Sequence, residues 1–201
     1  MARFIVFEGG EASGKSTQSA RLAARIGAVH TREPGGTPVG AALRSLLLDA
    51  RTTGLDDRAE ALLMVADRAQ HVAEVVRPAL AADRHVVSDR YIGSTLAYQG
   101  FGRGLPVADL RRMSAWAAGG LWPDLIVLLD VPLAVAMARL HDAPDRLEAA
   151  GELFHDRVTR GYRALAATET DLWVVVDGTR SPDEVAEAVW RAVSHRLPDL
   201  C

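Results

Sequence analysis

The sequence contains no asparagine, one lysine among 23 basic residues, and one cysteine. Without asparagine the chain cannot carry the N-K-x-D motif that reads guanine, which excludes an ordinary GTPase. The cysteine is the last residue, Cys201, so a disulfide framework and a cysteine-based metal site are excluded. A formal net charge of −3 gives no broad basic field for nucleic acid, and no apolar run approaches the roughly 18 residues of a membrane span. We therefore expect a cytoplasmic protein that binds neither nucleic acid nor a membrane.

Short apolar runs alternate along the chain with longer amphipathic stretches. The apolar runs predict strands at 3–9, 28–31, 85–91, 124–131 and 172–178. The amphipathic stretches predict helices at 16–26, 37–48, 57–82, 105–119, 132–140, 147–167 and 181–197. Strands that are apolar throughout and alternate with helices indicate an α/β fold, with a five-stranded parallel sheet and helices on both faces. The length of 201 residues fits a single domain, 1–201.

The only lysine lies in "GGEASGKST", residues 9–17, which follows a predicted strand and opens a predicted helix. This stretch matches the phosphate-loop motif G-x-x-x-x-G-K-[ST], in which backbone N–H groups surround nucleotide phosphates. An ammonium fits inside such a loop better than a planar guanidinium, which explains why this position keeps lysine. The motif predicts an ATP-binding segment made of Gly9, Gly10, Glu11, Ala12, Ser13, Gly14, Lys15, Ser16 and Thr17, with Lys15 as a catalytic group and Ser16 as a Mg²⁺ ligand.

A phosphate loop alone does not separate a kinase from an ATPase or a regulatory nucleotide-binding protein. A large motor or transporter needs more chain than this one has. The loop therefore leaves two classes open, a small kinase and a stand-alone regulatory ATPase.

The rest of the sequence resembles the bacterial thymidylate kinases, a family of P-loop nucleoside-monophosphate kinases. The resemblance runs in order through "FEGGEASGKST" (7–17), "TREPGGTPVG" (31–40), "ADRAQHV" (66–72), "SDRYIGSTLAYQG" (88–100), "WPDLIVLLDV" (122–131) and "DRLEAAGELFHDRVTRGY" (145–162). It implies a P-loop NTPase-type sheet with a short lid. It also implies a homodimer that transfers the γ-phosphoryl group of MgATP to dTMP, giving dTDP and ADP.

The resemblance also implies roles for residues on the acceptor side. Arg90 is expected to hold the dTMP phosphate as a catalytic group, Arg44 to assist it, and Arg68 to donate to the thymine edge. Glu11 is expected to meet the deoxyribose 3′-hydroxyl or the basic groups around it, and Asp89 to organise Mg²⁺ directly or through water. The remaining expected contacts to dTMP come from Thr95 and Gln99, which match polar contacts to the base, and from Tyr98, which crowds the sugar 2′ position.

The resemblance places the chain in the branch with a lid arginine. One branch of the family has an arginine inside the phosphate loop, where this chain has Ala12. The other branch supplies that charge from a lid, here predicted at about 139–148. We expect Arg146 to be the lid arginine that stabilises charge during transfer, and Arg139 to lie along the adenine or the phosphates of ATP.

One position departs from the family pattern on the acceptor side. Met64 stands where the family usually has phenylalanine stacked on thymine. Methionine gives up part of the stacking energy, so we expect weaker dTMP binding than in a Met64→Phe variant. This departure keeps open a related nucleoside- or deoxynucleoside-monophosphate kinase with a different base preference. A non-catalytic nucleotide-binding protein is the third hypothesis, against which the set of Lys15, Ser16, Asp89, Arg90 and Arg146 argues.

Overall fold

A parallel β-sheet organises the computed structural model, which describes residues 1–140 and 144–200. The five strands have the order β2-β3-β1-β4-β5, and every paired neighbour is parallel. They are β1 (Phe4–Glu8), β2 (Val29–Arg32), β3 (Val86–Asp89), β4 (Leu125–Asp130) and β5 (Trp173–Asp177). The α/β fold predicted from the sequence is confirmed. Phe7 pairs with Asp89, so the carboxyl ends of β1 and β3 lie side by side.

Helices connect the strands, and side-chain hydrogen bonds cap the N-termini of several of them. The α-helices are α1 (Lys15–Ile26), α2 (Pro38–Leu48), α3 (Asp57–His71), α4 (Arg77–Ala81), α5 (Ile92–Thr95), α6 (Val107–Ala117), α7 (Leu133–Ala138), α8 (Glu152–Thr168) and α9 (Pro182–Arg196). Thr37 caps α2 by accepting from the Gly40 N–H, and Ser181 and Glu184 form a capping box before α9. Within the described ranges, no helix is both long enough and apolar enough to cross a membrane.

Both faces of the sheet are buried, which explains why its strands are apolar throughout. Phe4 and Val6 of β1 belong to the cluster that includes Val72 and Phe154. Ile5 points to the other face and belongs to the cluster that includes Leu22 and Val189. Alternate residues of one strand therefore enter two different cores, as expected for a doubly covered parallel sheet.

The helices differ from the sequence prediction in three places. The stretch predicted as one helix at 57–82 contains a π-helical segment, Val72–Val76, between α3 and α4. A wider turn just before Pro78 accommodates a residue that has no N–H to donate. A second π-helical segment, Leu96–Gly102, follows α5 where no helix was predicted. The helix predicted at 147–167 begins only at Glu152, because Gly151 adopts a φ of +92° after a short 3₁₀ turn.

The second π-helical segment and α8 approach each other through glycines on both sides. A Cβ on Gly102 would lie 2.6 Å from the Phe154 ring of α8, and a Cβ on Gly161 would lie 2.6 Å from the Phe101 ring. Arg157 adds two hydrogen bonds, of 3.0 and 2.8 Å, to the carbonyl oxygen of Gly102. The Phe154 ring of α8 therefore packs against the backbone of the π-helical segment, and the Phe101 ring of that segment packs against the backbone of α8.

Candidate active site

The phosphate-loop motif forms a tight turn between β1 and α1. Gly9 adopts a φ of +149°, and a Cβ there would lie 2.7 Å from the carbonyl oxygen of Leu129 on β4. Gly14 and Ala12 also have positive φ angles, of 90° and 48°. The turn carries the chain directly into the N-terminus of α1 at Lys15. A helix N-terminus at the edge of a parallel sheet is a favourable place for phosphate, through its N–H groups and dipole.

Lys15 is buried and its ammonium turns back onto the loop. Its Nζ donates to the carbonyl oxygen of Gly10 at 2.5 Å and to Ser13 Oγ at 3.2 Å. Burial and the positive charge of Arg90 lower the pKa of Lys15 to about 8, although Glu11 and Asp89 offset part of this effect. A negatively charged ligand beside Lys15 would favour its protonated form.

Ser16 and Asp89 present oxygen atoms side by side at the ends of α1 and β3. Ser16 Oγ donates to Asp89 Oδ2 at 2.5 Å. Asp89 Oδ1 is buried and accepts no hydrogen bond from the described part of the chain. A hydroxyl and an incompletely paired carboxylate are oxygen ligands of the kind that Mg²⁺ takes when it is shared with nucleotide phosphates. These two residues therefore fit the predicted metal site.

A cavity, here called the loop cavity, opens in front of these groups. Its lining includes all of residues 11–17 of the motif, together with Asp89 and Arg139. Gly9 and Gly10 contribute carbonyl oxygens behind it, to Arg90 and Lys15 respectively. Arg139 donates to the carbonyl oxygens of Ala12 at 3.4 Å and Gly178 at 3.0 Å. The structure thus brings the predicted ATP-binding residues together, Arg139 included.

A second cavity, here called the helix cavity, is lined by residues of α2, α3, α5 and the segment Leu96–Gly102, and by residues of the neighbouring loops. Its empty space, with adjoining open solvent included, is about 560 Å³. The predicted dTMP-binding residues on its lining are Glu11, Arg44, Met64, Arg68, Arg90, Thr95, Tyr98 and Gln99. The structure therefore brings together all eight residues that the resemblance assigned to the acceptor.

Positive charge is concentrated where the two cavities meet. Arg44 and Arg90 line both cavities, and Arg32 lines the loop cavity beside them. Burial lowers the pKa of Arg44, and the charges of Arg32 and Arg90 lower it further against the opposing effect of Asp145 and Asp89. Guanidinium groups that repel one another are stabilised by a phosphate-bearing ligand between them.

Arg90 and Glu11 form the wall shared by the two cavities. Arg90 Nη2 donates to Glu11 Oε1 at 2.8 Å and to the Tyr98 hydroxyl at 3.2 Å. Tyr98 also donates to Glu11. Burial alone would raise the pKa of Glu11, but Arg90 and Lys15 outweigh it and lower the pKa to about 2. Glu11 is therefore a carboxylate at neutral pH, held by the arginine that adjoins both cavities.

Arg68 lies at the far end of the helix cavity and is only 2% exposed. Its Nη1 donates to Ser114 Oγ at 3.0 Å, its Nη2 donates to Thr95 Oγ1 at 3.1 Å, and Nη2 lies 2.9 Å from Glu33 Oε2. Glu33 in turn contacts His71 Nδ1 at 2.8 Å. A buried guanidinium held on several sides is a fixed hydrogen-bond donor.

Arg146, predicted to be the lid arginine over ATP, does not lie at the phosphate loop. Its Nε donates to the carbonyl oxygen of Leu47 at 2.7 Å, and its Nη2 lies 2.7 Å from Glu60 Oε2. The loop cavity is lined by Arg139 instead. The ion pair with buried Glu60 and the hydrogen bond to Leu47 hold Arg146 in this position. Of the predicted lid at about 139–148, residues 141–143 lie outside the described residues, as does Cys201.

Sequence reasoning missed several buried acids around the site, namely Glu8, Glu33, Glu60 and Asp67. Glu60 had a detectable signal, because it lies four residues before Met64 and eight before Arg68 and thus on the same helical face. Glu8 is the last residue of β1 and accepts from the backbone N–H groups of Tyr91 and Ser94, both at 3.0 Å. That contact spans the fold and has no local sequence signal.

A phosphate loop beside a second, arginine-lined cavity defines the chain as a P-loop nucleotide kinase. The model of the thymidylate kinase family matches residues 7–189. A thymidylate kinase of Solidesulfovibrio magneticus is 52% identical over 96% of this chain and 100% of the relative, and that of Desulforudis audaxviator is 47% identical over 98% and 92%. The crystal structure of thymidylate kinase from Ehrlichia chaffeensis superimposes with a TM-score of 0.80 at 29% identity, covering 96% of this chain and 98% of that one. The chain belongs to the thymidylate kinase family.

Proposed function

We propose that this enzyme transfers the γ-phosphoryl group of MgATP to dTMP, giving dTDP and ADP. The observation that carries the proposal is the shared wall, in which Arg90 and Glu11 adjoin both the phosphate-loop cavity and the helix cavity. A donor in one cavity and an acceptor in the other would meet at this wall. Membership in the thymidylate kinase family supports dTMP as the acceptor.

The residues at the junction supply positioning and positive charge. The phosphate loop and Lys15 bind the β- and γ-phosphates of ATP, and Arg139 lies against the same loop. Arg90 and Arg44 hold the acceptor phosphate, so two anionic groups can approach despite their repulsion. Ser16 and Asp89 would hold Mg²⁺, which when bound neutralises charge on the transferring phosphoryl group. Arg146 would act as a lid arginine only after leaving Glu60.

The acceptor binds in the helix cavity with its base at Arg68 and its sugar at Tyr98. Arg68 is buried and donates toward the base edge, while Met64, Thr95 and Gln99 complete that end of the cavity. The Tyr98 ring stands between the base end and Glu11, where it limits the room for a ribose 2′-hydroxyl. This arrangement supports the assignment of the base and sugar ends of dTMP.

We also propose that the described elements belong to one kinase domain and that two copies of the chain form a homodimer. The two buried clusters on opposite faces of one sheet support a single domain. The exposed side chain of Trp116 on α6, at 82%, and that of Leu62 on the adjacent α3 support an apolar contact between copies. Light scattering after size-exclusion chromatography tests the dimer, and a monomer at micromolar concentration would contradict it.

A coupled steady-state assay tests the proposed reaction. The purified chain is given MgATP and, separately, dTMP, dUMP, dCMP, UMP and dGMP, with a parallel series in excess EDTA. We expect the highest kcat/KM with dTMP and no turnover in EDTA. A higher kcat/KM with another acceptor would reject dTMP as the substrate. No turnover with any acceptor, despite ATP binding, would reject the kinase activity itself.

A further inference from the structure

Glu60 on α3 is a fully buried carboxylate to which the proposed reaction assigns no role. Its Oε1 accepts from Gln99 Nε2 at 2.8 Å, and its Oε2 accepts from Arg103 Nη2 at 3.0 Å. Arg146 Nη2 lies 2.7 Å from the same Oε2. One acid thus joins a residue of the helix cavity to two arginines behind it.

These neighbours keep Glu60 ionised. Burial alone would raise the pKa of Glu60, but hydrogen bonds from Arg103 and Gln99, together with the charge of Arg103, lower it below its ordinary value. An ionised carboxylate can accept hydrogen bonds but cannot donate one. The Gln99 amide must therefore turn its Nε2 toward Glu60.

That orientation determines what Gln99 can offer to a ligand. With one Nε2 proton donated to Glu60, the carbonyl Oε1 is the only acceptor that the amide can offer, and no residue within 1–140 or 144–200 donates a hydrogen bond to it. Gln99 and Arg68 both line the helix cavity. Arg68 can only donate and Gln99 Oε1 can only accept, so these two residues give this end of the cavity a donor and an acceptor of fixed kind.

The two kinds of pyrimidine base differ in this pattern. A 4-oxo pyrimidine such as thymine presents an acceptor, O4, beside a donor, N3–H. A 4-amino pyrimidine such as cytosine presents a donor, the N4 amine, beside an acceptor, N3. A donor facing position 4 and an acceptor facing position 3 can both form hydrogen bonds with thymine. With cytosine the same groups would place donor against donor and acceptor against acceptor.

We propose that Glu60 is a positioning residue that sets base specificity by reserving the Gln99 carbonyl oxygen for an N3–H donor. The inference rests on the proposed function, because it takes the helix cavity to be the acceptor site. It goes beyond that function in naming the group that makes the cavity reject 4-amino pyrimidines. Arg103 and Arg146 contribute by keeping the carboxylate charged.

The test is Glu60→Gln, because a neutral amide at position 60 can donate to Gln99 Oε1 and allow the Gln99 side chain to turn over. We expect the ratio of kcat/KM for dTMP to that for dCMP to fall by about tenfold or more. Asp57→Asn is the matched control: it removes an acid from the same helix that also lies near Arg103, at 3.4 Å, without contacting Gln99. The control should keep the unmutated ratio. A purely structural loss would lower both kcat/KM values together and leave the ratio unchanged.

A double substitution tests whether Glu60 acts through Gln99. Gln99→Met should lower the ratio by itself, and adding Glu60→Gln to that variant should change the ratio no further. An unchanged ratio in folded Glu60→Gln, an equal fall in Asp57→Asn, or a second fall in the double variant would each overturn the inference.

A measurement on the unmutated chain does not depend on how well the variants fold. In ¹⁵N NMR, the Gln99 Nε2 proton that is donated to Glu60 should exchange slowly with solvent and remain protected when dTMP binds. Loss of that protection on binding would show that the bond to Glu60 breaks, and would overturn the inference. Failure of the unmutated chain to phosphorylate dTMP would overturn the proposed function as well, which distinguishes the two results.

Discussion

Asp67 on α3 should make the protein less stable as the pH rises from about 4 to about 6. Asp67 is 1% exposed, and while its Oδ1 accepts from the Gly35 N–H at 2.9 Å, its Oδ2 has no partner in the described residues. Burial and the nearby charge of Glu33 raise the pKa of Asp67 from 3.8 to about 6. The perturbation that isolates this group is Asp67→Asn, which keeps an oxygen for Gly35 and cannot ionise.

The direction of the effect depends on whether the folded or the unfolded chain binds the Asp67 proton more tightly. Because the pKa is higher in the folded chain than in the unfolded chain, the folded state retains a proton that the unfolded state has lost. The free energy of unfolding therefore falls with rising pH between the two pKa values. The expected loss from this group is about 2 kcal/mol between pH 4.5 and pH 7, out of about 3 kcal/mol over the whole range from well below pH 3.8 to above pH 7.

Urea denaturation of the unmutated chain and of Asp67→Asn, without nucleotides, measures this difference. Titrating groups that do not interact with Asp67 affect both proteins alike, so the difference between the unfolding free energies reports Asp67 together with its interaction with neighbours such as Glu33. We expect Asp67→Asn to gain about 2 kcal/mol relative to the unmutated chain as the pH goes from 4.5 to 7. Two stability curves that run parallel over this interval would refute the reasoning.

Three further predictions concern catalysis. Met64→Phe should lower the KM for dTMP by about threefold to tenfold at unchanged kcat, through added stacking on the base, and an unchanged KM would contradict it. Lys15→Arg should lower kcat by about a hundredfold or more in the coupled assay, because Nζ already lies 2.5 Å from the Gly10 carbonyl oxygen and leaves no room for a guanidinium. Arg139→Met should raise the KM for ATP severalfold and leave that for dTMP unchanged, and equal effects on both would exclude a role confined to the loop cavity.

The parts of the site that could be predicted are those encoded in a short run of sequence. The phosphate loop needs glycines at positions where the backbone turns and a lysine at the start of the helix, all within residues 9–17. Arg90 follows β3 directly, so its place at the sheet edge follows from the parallel order of the strands. For the stretches 31–40 and 88–100, periodicity alone assigned no functional role, and the roles of their residues were predicted from the family resemblance.

The parts that could not be predicted depend on contacts between distant segments. Glu60 and Gln99 are 39 residues apart, and nothing near either residue indicates that they meet. The position of Arg146 is set by this same acid, so a prediction based on the lid sequence placed the arginine beside ATP instead. The π-helical segment Leu96–Gly102 packs closely against α8, a distant part of the chain, and no local pattern in the sequence predicted it.

The paired glycines of α8 and the segment Leu96–Gly102 have a mechanical consequence for the acceptor site. Each ring is lodged against the backbone of the opposite element, so neither element can slide along its axis without the other following. Tyr98 and Gln99 travel on one element and Tyr162, which contacts Arg90, on the other. A displacement of α8 would therefore move Tyr98, Gln99 and Tyr162 together, and with them the wall of the cavity that we propose as the acceptor site.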